Sequence, residues 1–108
     1  MNYSTKPFTV IKKGATVVGS LSYEKKHEGH VYISGLVIAP QFQGQGIAKK
    51  ALTQILKKLK SVKRIDLVTH PENTRALLLY RSLGFAVESR KENYFGDGEP
   101  RLILALEN

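Results

Sequence analysis

The sequence predicts one mixed α/β domain, an α+β sheet protein with elements in the order β-β-β-α-β-α-β-β. Three observations carry that reading. Apolar residues alternate with period two as far as Ala39, and the period changes to 3.6 from Gly46 onward. Two helical stretches each lie between strand-like runs, the pattern of strand, helix, strand crossovers. With 108 residues and 42% hydrophobic composition, the chain can bury one core and not two, so residues 1–108 are expected to form a single domain.

The elements follow in order. Residues 8–12 (FTVIK) and 16–23 (TVVGSLSY) are β-branched and aromatic runs joined through Lys13-Gly14-Ala15, which signals a hairpin. Residues 24–29 are polar and read as a connection. A third run, 30–39, stops at Pro40, which cannot donate to a ladder. Gly35 inside that run marks a bulge or a close backbone approach. From Gly46, the residues Ile47, Ala48, Ala51, Leu52, Ile55, Leu56 and Leu59 make one apolar stripe with lysines opposite, hence an amphipathic helix. A short strand, 64–69, is followed by a second helical pattern over 73–83. Glu72 or Asn73 opens that helix, and Gly84 closes it as a C′ glycine does. The last runs, 86–90 and 101–107, flank a loop with Gly96-Asp97-Gly98 and Pro100, which predicts a terminal hairpin with a long loop. The strand, helix, strand portion in the middle is expected to be a parallel, right-handed crossover.

Composition excludes several chemistries. The chain has no Cys, so disulfides, thiolate-held zinc, iron–sulfur clusters and a thiol nucleophile are ruled out, and no metal is expected. The first twenty residues hold no apolar core of signal-peptide length, and the longest apolar stretches, such as residues 76–80, are far short of the ~20 residues a bilayer needs. A cytoplasmic location without membrane contact is the expectation. The net charge of +8 is concentrated between Lys49 and Arg64, where seven basic residues meet no acidic one. Such a segment is a solvated helix face, a site for a phosphorylated small ligand, or a nucleic-acid surface. No base-stacking aromatics interleave with these lysines, which disfavours nucleic acid.

The most informative stretch runs from Leu36 through Gln43-Gly44-Gln45-Gly46-Ile47-Ala48, a buried strand leading by a glycine turn into a basic helix. Gly44 and Gly46 let a ligand approach the backbone, and the helix N-terminus adds its positive dipole end. Lys49 and Lys50 oppose that dipole unless an anion binds there. The second glycine is followed by Ile47-Ala48 rather than Lys-Ser or Lys-Thr, against a P-loop. A third glycine is also missing, against a dinucleotide fingerprint. Spacing alone leaves a structural turn and an anion site both open.

Two motifs carry a resemblance. Gln43-Gly44-Gln45-Gly46-Ile47-Ala48 resembles the Gln/Arg-x-x-Gly-x-Gly/Ala signature of the GNAT family of N-acetyltransferases, and residues 73–85 resemble its Asn-x-x-Ala-x-x-x-Tyr-x-x-x-Gly-Phe helix. Asn93-Tyr94-Phe95-Gly96 with Glu99 is similar to the subgroup that acetylates ribosomal-protein N-termini. The resemblance implies a mostly antiparallel sheet and an enzyme that moves the acetyl group of acetyl-coenzyme A to a primary amine of a peptide, protein or small molecule, by direct attack in a ternary complex. It implies that Gln43, Gly44, Gln45, Gly46, Ile47, Ala48 and Lys49 wrap the pyrophosphate. Leu36, Val37 and Ile38 would pair by main chain with the pantetheine arm, Asn73 would contact the coenzyme, and Tyr80 would sit near its sulfur.

Acetyl transfer needs an oxyanion donor, an acid for the leaving thiolate and a base for the amine. A backbone N–H near Ile38 suits the first role. Tyr80 resembles the family's general acid, since a phenol of pKa near 10 can protonate a thiolate of roughly 8.5 or above. Its other reading is a core aromatic. The subgroup's glutamate, five positions ahead of the motif Asn, is replaced here by Val68. Asp66 and His70 share the face of Val68, so His70 is the expected base, directly or through water, unless it is a surface histidine at a strand end. Tyr32 and His30 are further candidates, and Asp66 is expected to pair with a Lys or Arg. Family members usually carry a strand and two helices before the point where this chain begins. The acceptor side is therefore expected to be open, covered by another subunit, or lost, and exposed sheet edges favour a homodimer. Two rival functions remain: a coenzyme A-binding module with little or no catalysis, and a basic nucleic-acid-binding protein.

Overall fold

A computed structural model describes residues 8–108. The elements are β1 (Phe8–Lys13), β2 (Thr16–His27), β3 (His30–Ile38), a 3-10 turn (Pro40–Phe42), α1 (Ile47–Lys58), β4 (Arg64–Thr69), α2 (Thr74–Ser82), β5 (Ala86–Lys91) and β6 (Arg101–Glu107). They form a six-stranded sheet in the order β1-β2-β3-β4-β6-β5, antiparallel except between β3 and β4. This is the mixed, mostly antiparallel sheet with a central parallel crossover that the sequence and the resemblance led us to expect.

One boundary differs. Residues 24–27 are strand rather than connection, because Glu24 pairs with Tyr32, Lys25 with Val31 and His27 with His30 across a tight turn at Glu28-Gly29. Their side chains are polar because that end of β2 is largely exposed, and the pairing is supplied by the backbone of β3, which no side-chain pattern in 24–27 could signal.

The core lies on one face of the sheet. Val31, Ile33, Ile65, Leu67 and Leu104 alternate along β3, β4 and β6 and meet Leu52 and Ile55 of α1 and Leu59 at its C-cap. Leu77 and Leu79 of α2, with Leu83 and Phe85 just beyond it, extend the same cluster. Both helices belong to crossovers that step across the sheet in one direction, so the right-handed rule puts them on the same side. Among the described residues, no helix covers the opposite face.

That opposite face carries an ionic network at one end of β3 and β4. Arg64 holds Glu88 bidentately at 2.6 and 2.7 Å, reaches Asp66 at 3.2 Å and Glu107 at 3.3 Å, and Asp66 accepts from His30 at 2.9 Å. The hydrogen bond to Glu88, above all, raises the Arg64 pKa, and the same bond lowers that of Glu88. Four strands are tied together here. Beyond it the sheet opens: β3 and β4 pair only at His30, Val31 and Tyr32 with Arg64, Ile65 and Asp66.

Candidate functional site

The opening between β3 and β4 has a structural cause in the sequence. On its other edge β3 is bulged, with Ser22 opposite Gly35 and Tyr23 opposite Ile33, so Ser34 is the extra residue. A Cβ at Gly35 would stand 2.9 Å from Ser22 Oγ, so a larger residue there would make the serine side chain turn away. The bulge bends β3, and its remaining residues up to Ile38 pair with β2 on one side and with no described strand on the other.

The chain then turns into α1. Ala39 N–H donates to Val18 O, Phe42 N–H to Ala39 O and Gln43 N–H to Pro40 O, which builds the 3-10 turn. The Gln43 side chain donates from Nε2 to Ile38 O at 2.9 Å and latches the loop to the end of β3. Gly44 and Gly46 adopt φ of +80° and +78°, a left-handed conformation that glycine takes without penalty. Gly46 is the N-cap of α1 and offers no side chain, so the first-turn amides have no side-chain cap. Among the described residues, none of the six successive amides of residues 44–49 donates to a protein acceptor. A helix N-terminus, a run of unused N–H groups and no acidic residue in the first turn together favour an anion.

α2 closes the other side. Asn73 is its N-cap, with Oδ1 accepting from Ala76 N–H at 3.2 Å, so the amide NH₂ is the part of that side chain left for a ligand. At the far end Gly84 N–H donates to Arg81 O and Phe85 N–H to Tyr80 O, a Schellman closure with Gly84 at φ +99°. That closure seats Phe85 in the core and brings its ring to 5.9 Å from the Tyr80 ring. Burial pushes the Tyr80 hydroxyl above its ordinary pKa of 10.0, so at neutral pH it holds its proton.

A cavity of about 500 Å³ lies between these parts. Its lining includes Leu36 and Ile38 of β3, then Gln43, Gly44, Gly46, Ile47, Ala48 and Lys49 of the glycine loop and α1. Asn73 and Tyr80 of α2 complete the expected set. Two expected residues stand outside this lining. Val37 points to the opposite face, 61% exposed, leaving only its main chain to meet a ligand, and Gln45 accepts from Lys13 Nζ at 3.0 Å. Four lining residues were missed: Phe42, Arg75, Ala76 and Leu79. Arg75 was legible, since a basic residue in the first turn of α2 poses the same conflict with the helix dipole as Lys49 does. Ala76 and Leu79 share the face of Tyr80 by helical spacing.

The base candidates sit apart from the cavity lining. His70 accepts from Glu72 N–H at Nδ1, 3.0 Å, so its proton is on Nε2, which donates to Glu99 at 2.8 Å. β3 and β4 last pair at Tyr32 and Asp66, four residues before His70, which therefore stands beyond the paired end of β4. His30 and Asp66 belong to the ionic network at the closed end. Tyr32, where the pairing ends, has its pKa raised by burial first and then by Tyr94, Glu24 and Asp66, and Lys26 lies 5.3 Å from its ring centre. Among the described residues, no group of acidic, His or Cys side chains could hold a metal, and no helix is long and apolar enough to cross a membrane.

Comparison with known proteins agrees with this geometry. Residues 2–85 match the sequence profile of the acetyltransferase (GNAT) family. The chain is 36% identical over 77 residues to the [ribosomal protein bS18]-alanine N-acetyltransferase of Haemophilus ducreyi, covering 66% of this chain and 53% of that one. Among solved structures, an IAA acetyltransferase of Bacillus cereus superimposes with a TM-score of 0.88 at 23% identity, over 95% of this chain and 78% of that one. A GNAT family acetyltransferase of Elizabethkingia anophelis, solved with acetyl-CoA bound, also gives 0.88, at 21% identity over 95% and 76% of the two chains. These superpositions show the fold. The chain spans about half the length of the curated relatives it matches.

Proposed function

The chain belongs to the acetyltransferase (GNAT) family, and from that premise we propose that it transfers the acetyl group of acetyl-coenzyme A to a primary amine of a peptide, protein or small molecule. The single observation that carries the proposal is the run of six unused amides at residues 44–49, five of these residues lining one cavity with the unpaired edge of β3. The residues fit that ligand. The glycine loop matches the chemistry of a pyrophosphate, with no Cβ at Gly44 or Gly46 and Lys49 and Arg75 beside it. Leu36 and Ile38 offer apolar surface and an open main-chain edge to an extended arm. When bound, the coenzyme supplies an activated acetyl thioester.

The protein's own groups do the rest. A preorganised amide of the β3 edge at Ile38 stabilises negative charge in the cavity. Tyr80, held protonated by burial, donates to the departing sulfur. His70 takes the proton of the amine, through water, at Nδ1. Uptake there gives up the bond from Glu72 N–H, worth about 1 kcal/mol, and the Glu99 carboxylate at Nε2 stabilises the resulting imidazolium. The acceptor approaches from the sheet face that carries Val68. We further propose that the protein acts in the cytoplasm as a homodimer.

A second reading is a coenzyme A-binding module without useful turnover. It is favoured by Val68 at the position of the subgroup's glutamate and by the engagement of both His70 ring nitrogens. Tyr80→Phe separates the two. For an enzyme, coenzyme affinity by calorimetry stays within about twofold while thiol release with an amine acceptor falls by roughly 10²-fold or more. If the parent protein binds the coenzyme and releases no thiol with any of a peptide, polyamine or lysine acceptor, the catalytic proposal fails and the binding module stands.

A further inference from the structure

The cavity between β3, the glycine loop and α2 has cations on two walls. Lys49 lies in the first turn of α1 and Arg75 in the first turn of α2, and none of the residues lining the cavity is acidic. The α1 wall already offers the six unused amides of residues 44–49, enough donors for one pyrophosphate without Arg75. Arg75 stands on the other helix with its side chain exposed, and among the described residues it pairs with no carboxylate. Two cations lining one cavity repel each other, and a ligand with a second anionic group relieves that repulsion.

Place along α2 decides which group of the ligand Arg75 meets. Tyr80 lies five residues further on, about 7.5 Å along the axis at a rise of 1.5 Å per residue. Helical side chains lean toward the N-terminus, so the guanidinium reaches away from Tyr80, toward the start of the helix at Asn73. With the sulfur at Tyr80 and the pyrophosphate on the glycine loop, one anionic group of coenzyme A is left without a partner, the phosphate monoester on the ribose 3′ oxygen. A terminal phosphate presents three free oxygens, and a guanidinium meets two of them with parallel N–H donors, which a lysine ammonium does not. We infer that Arg75 binds this 3′-phosphate and makes the protein select coenzyme A over its 3′-dephospho form, an inference that rests on the acetyltransferase reading.

The test titrates the full chain, and its variants Arg75→Gln, Arg75→Lys and Arg81→Gln, with coenzyme A and with 3′-dephospho-coenzyme A in a calorimeter at low salt. The parent should bind coenzyme A about tenfold more tightly than the dephospho form. Arg75→Gln should cut that preference to about twofold or less by weakening coenzyme A alone, with Arg75→Lys between the two. Arg81→Gln makes the same change in net charge on the same helix outside the cavity lining, and should keep the parent's preference. Because Arg75 is exposed and its charge opposes the dipole of α2, both of its variants should melt no lower than the parent. A parent that binds the two ligands equally overturns the inference and leaves the acetyltransferase reading standing. The inference is equally overturned if Arg75→Gln weakens both ligands alike, which moves Arg75 to the pyrophosphate, or if Arg81→Gln abolishes the preference too, which makes it a matter of net charge. A parent that binds neither ligand refutes the acetyltransferase reading itself, and this inference with it.

Discussion

Replacing Gly46 by alanine tests whether the glycine loop serves a ligand or only the fold. Gly46 has φ +78°, and a Cβ built there meets nothing within 4 Å, so the protein itself offers no clash. The structural penalty is then the left-handed strain of an L-residue, roughly 1–2 kcal/mol. At about 4–8 °C per kcal/mol for a domain of this size, the melting temperature should fall by a readable amount. Gly14, in the β1–β2 turn, has φ +62° and equally open surroundings, so Gly14→Ala carries the same strain away from the cavity. The two variants should therefore melt alike. They should differ in ligand affinity. A methyl group among the six unused amides keeps an anion from closing on at least one of them, and a hydrogen bond to a charged group is worth about 1.5–3 kcal/mol. Isothermal titration with acetyl-coenzyme A should thus show a roughly ten- to hundredfold loss for Gly46→Ala and almost none for Gly14→Ala. Equal affinities in the two variants would refute the anion site and leave the loop as a turn.

Two further outcomes follow from the site. Burial raises the Tyr80 pKa above 10.0, so the folded state keeps this proton to higher pH than the unfolded chain does; stability from this group is complete below pH 10 and lost as pH rises through the folded value. Denaturant melts of Tyr80→Phe should show a shallower alkaline fall than the parent, and identical slopes would contradict the burial argument. Gln43→Ala removes the latch to Ile38 O, a partly exposed bond worth about 1 kcal/mol. Its melting temperature should fall by about 4–8 °C and its coenzyme affinity should drop several-fold as well, and a thermal effect with unchanged affinity would mean the latch does not order the loop.

Much of the fold was legible because its signals are local. The stripe from Ile47 to Leu59, the N-cap at Asn73, the glycine at Gly84 and the stop at Pro40 depend on residues within a few positions of one another, and each element stands where those signals put it. The polar end of β2 was not legible, because its partner is another strand's backbone. The site divides the same way. Glycines at one helix start disclosed a loop with left-handed residues and unused amides, and the tyrosine motif disclosed the helix that faces it.

The sequence by itself determined the elements, their order, the bulge near Gly35 and the residues of the glycine loop, since periodicity and the special conformations of glycine and proline act over short range. Tertiary structure alone decided that the paired end of β3 and β4 is tied by an ionic network, because Arg64 reaches residues up to 43 positions away. It also decided what each polar side chain does. Gln43 is spent on Ile38, Asn73 on Ala76, and His70 on Glu72 and Glu99. A hydrogen bond needs its partner within about 3 Å in the right direction, and only the folded chain sets that distance.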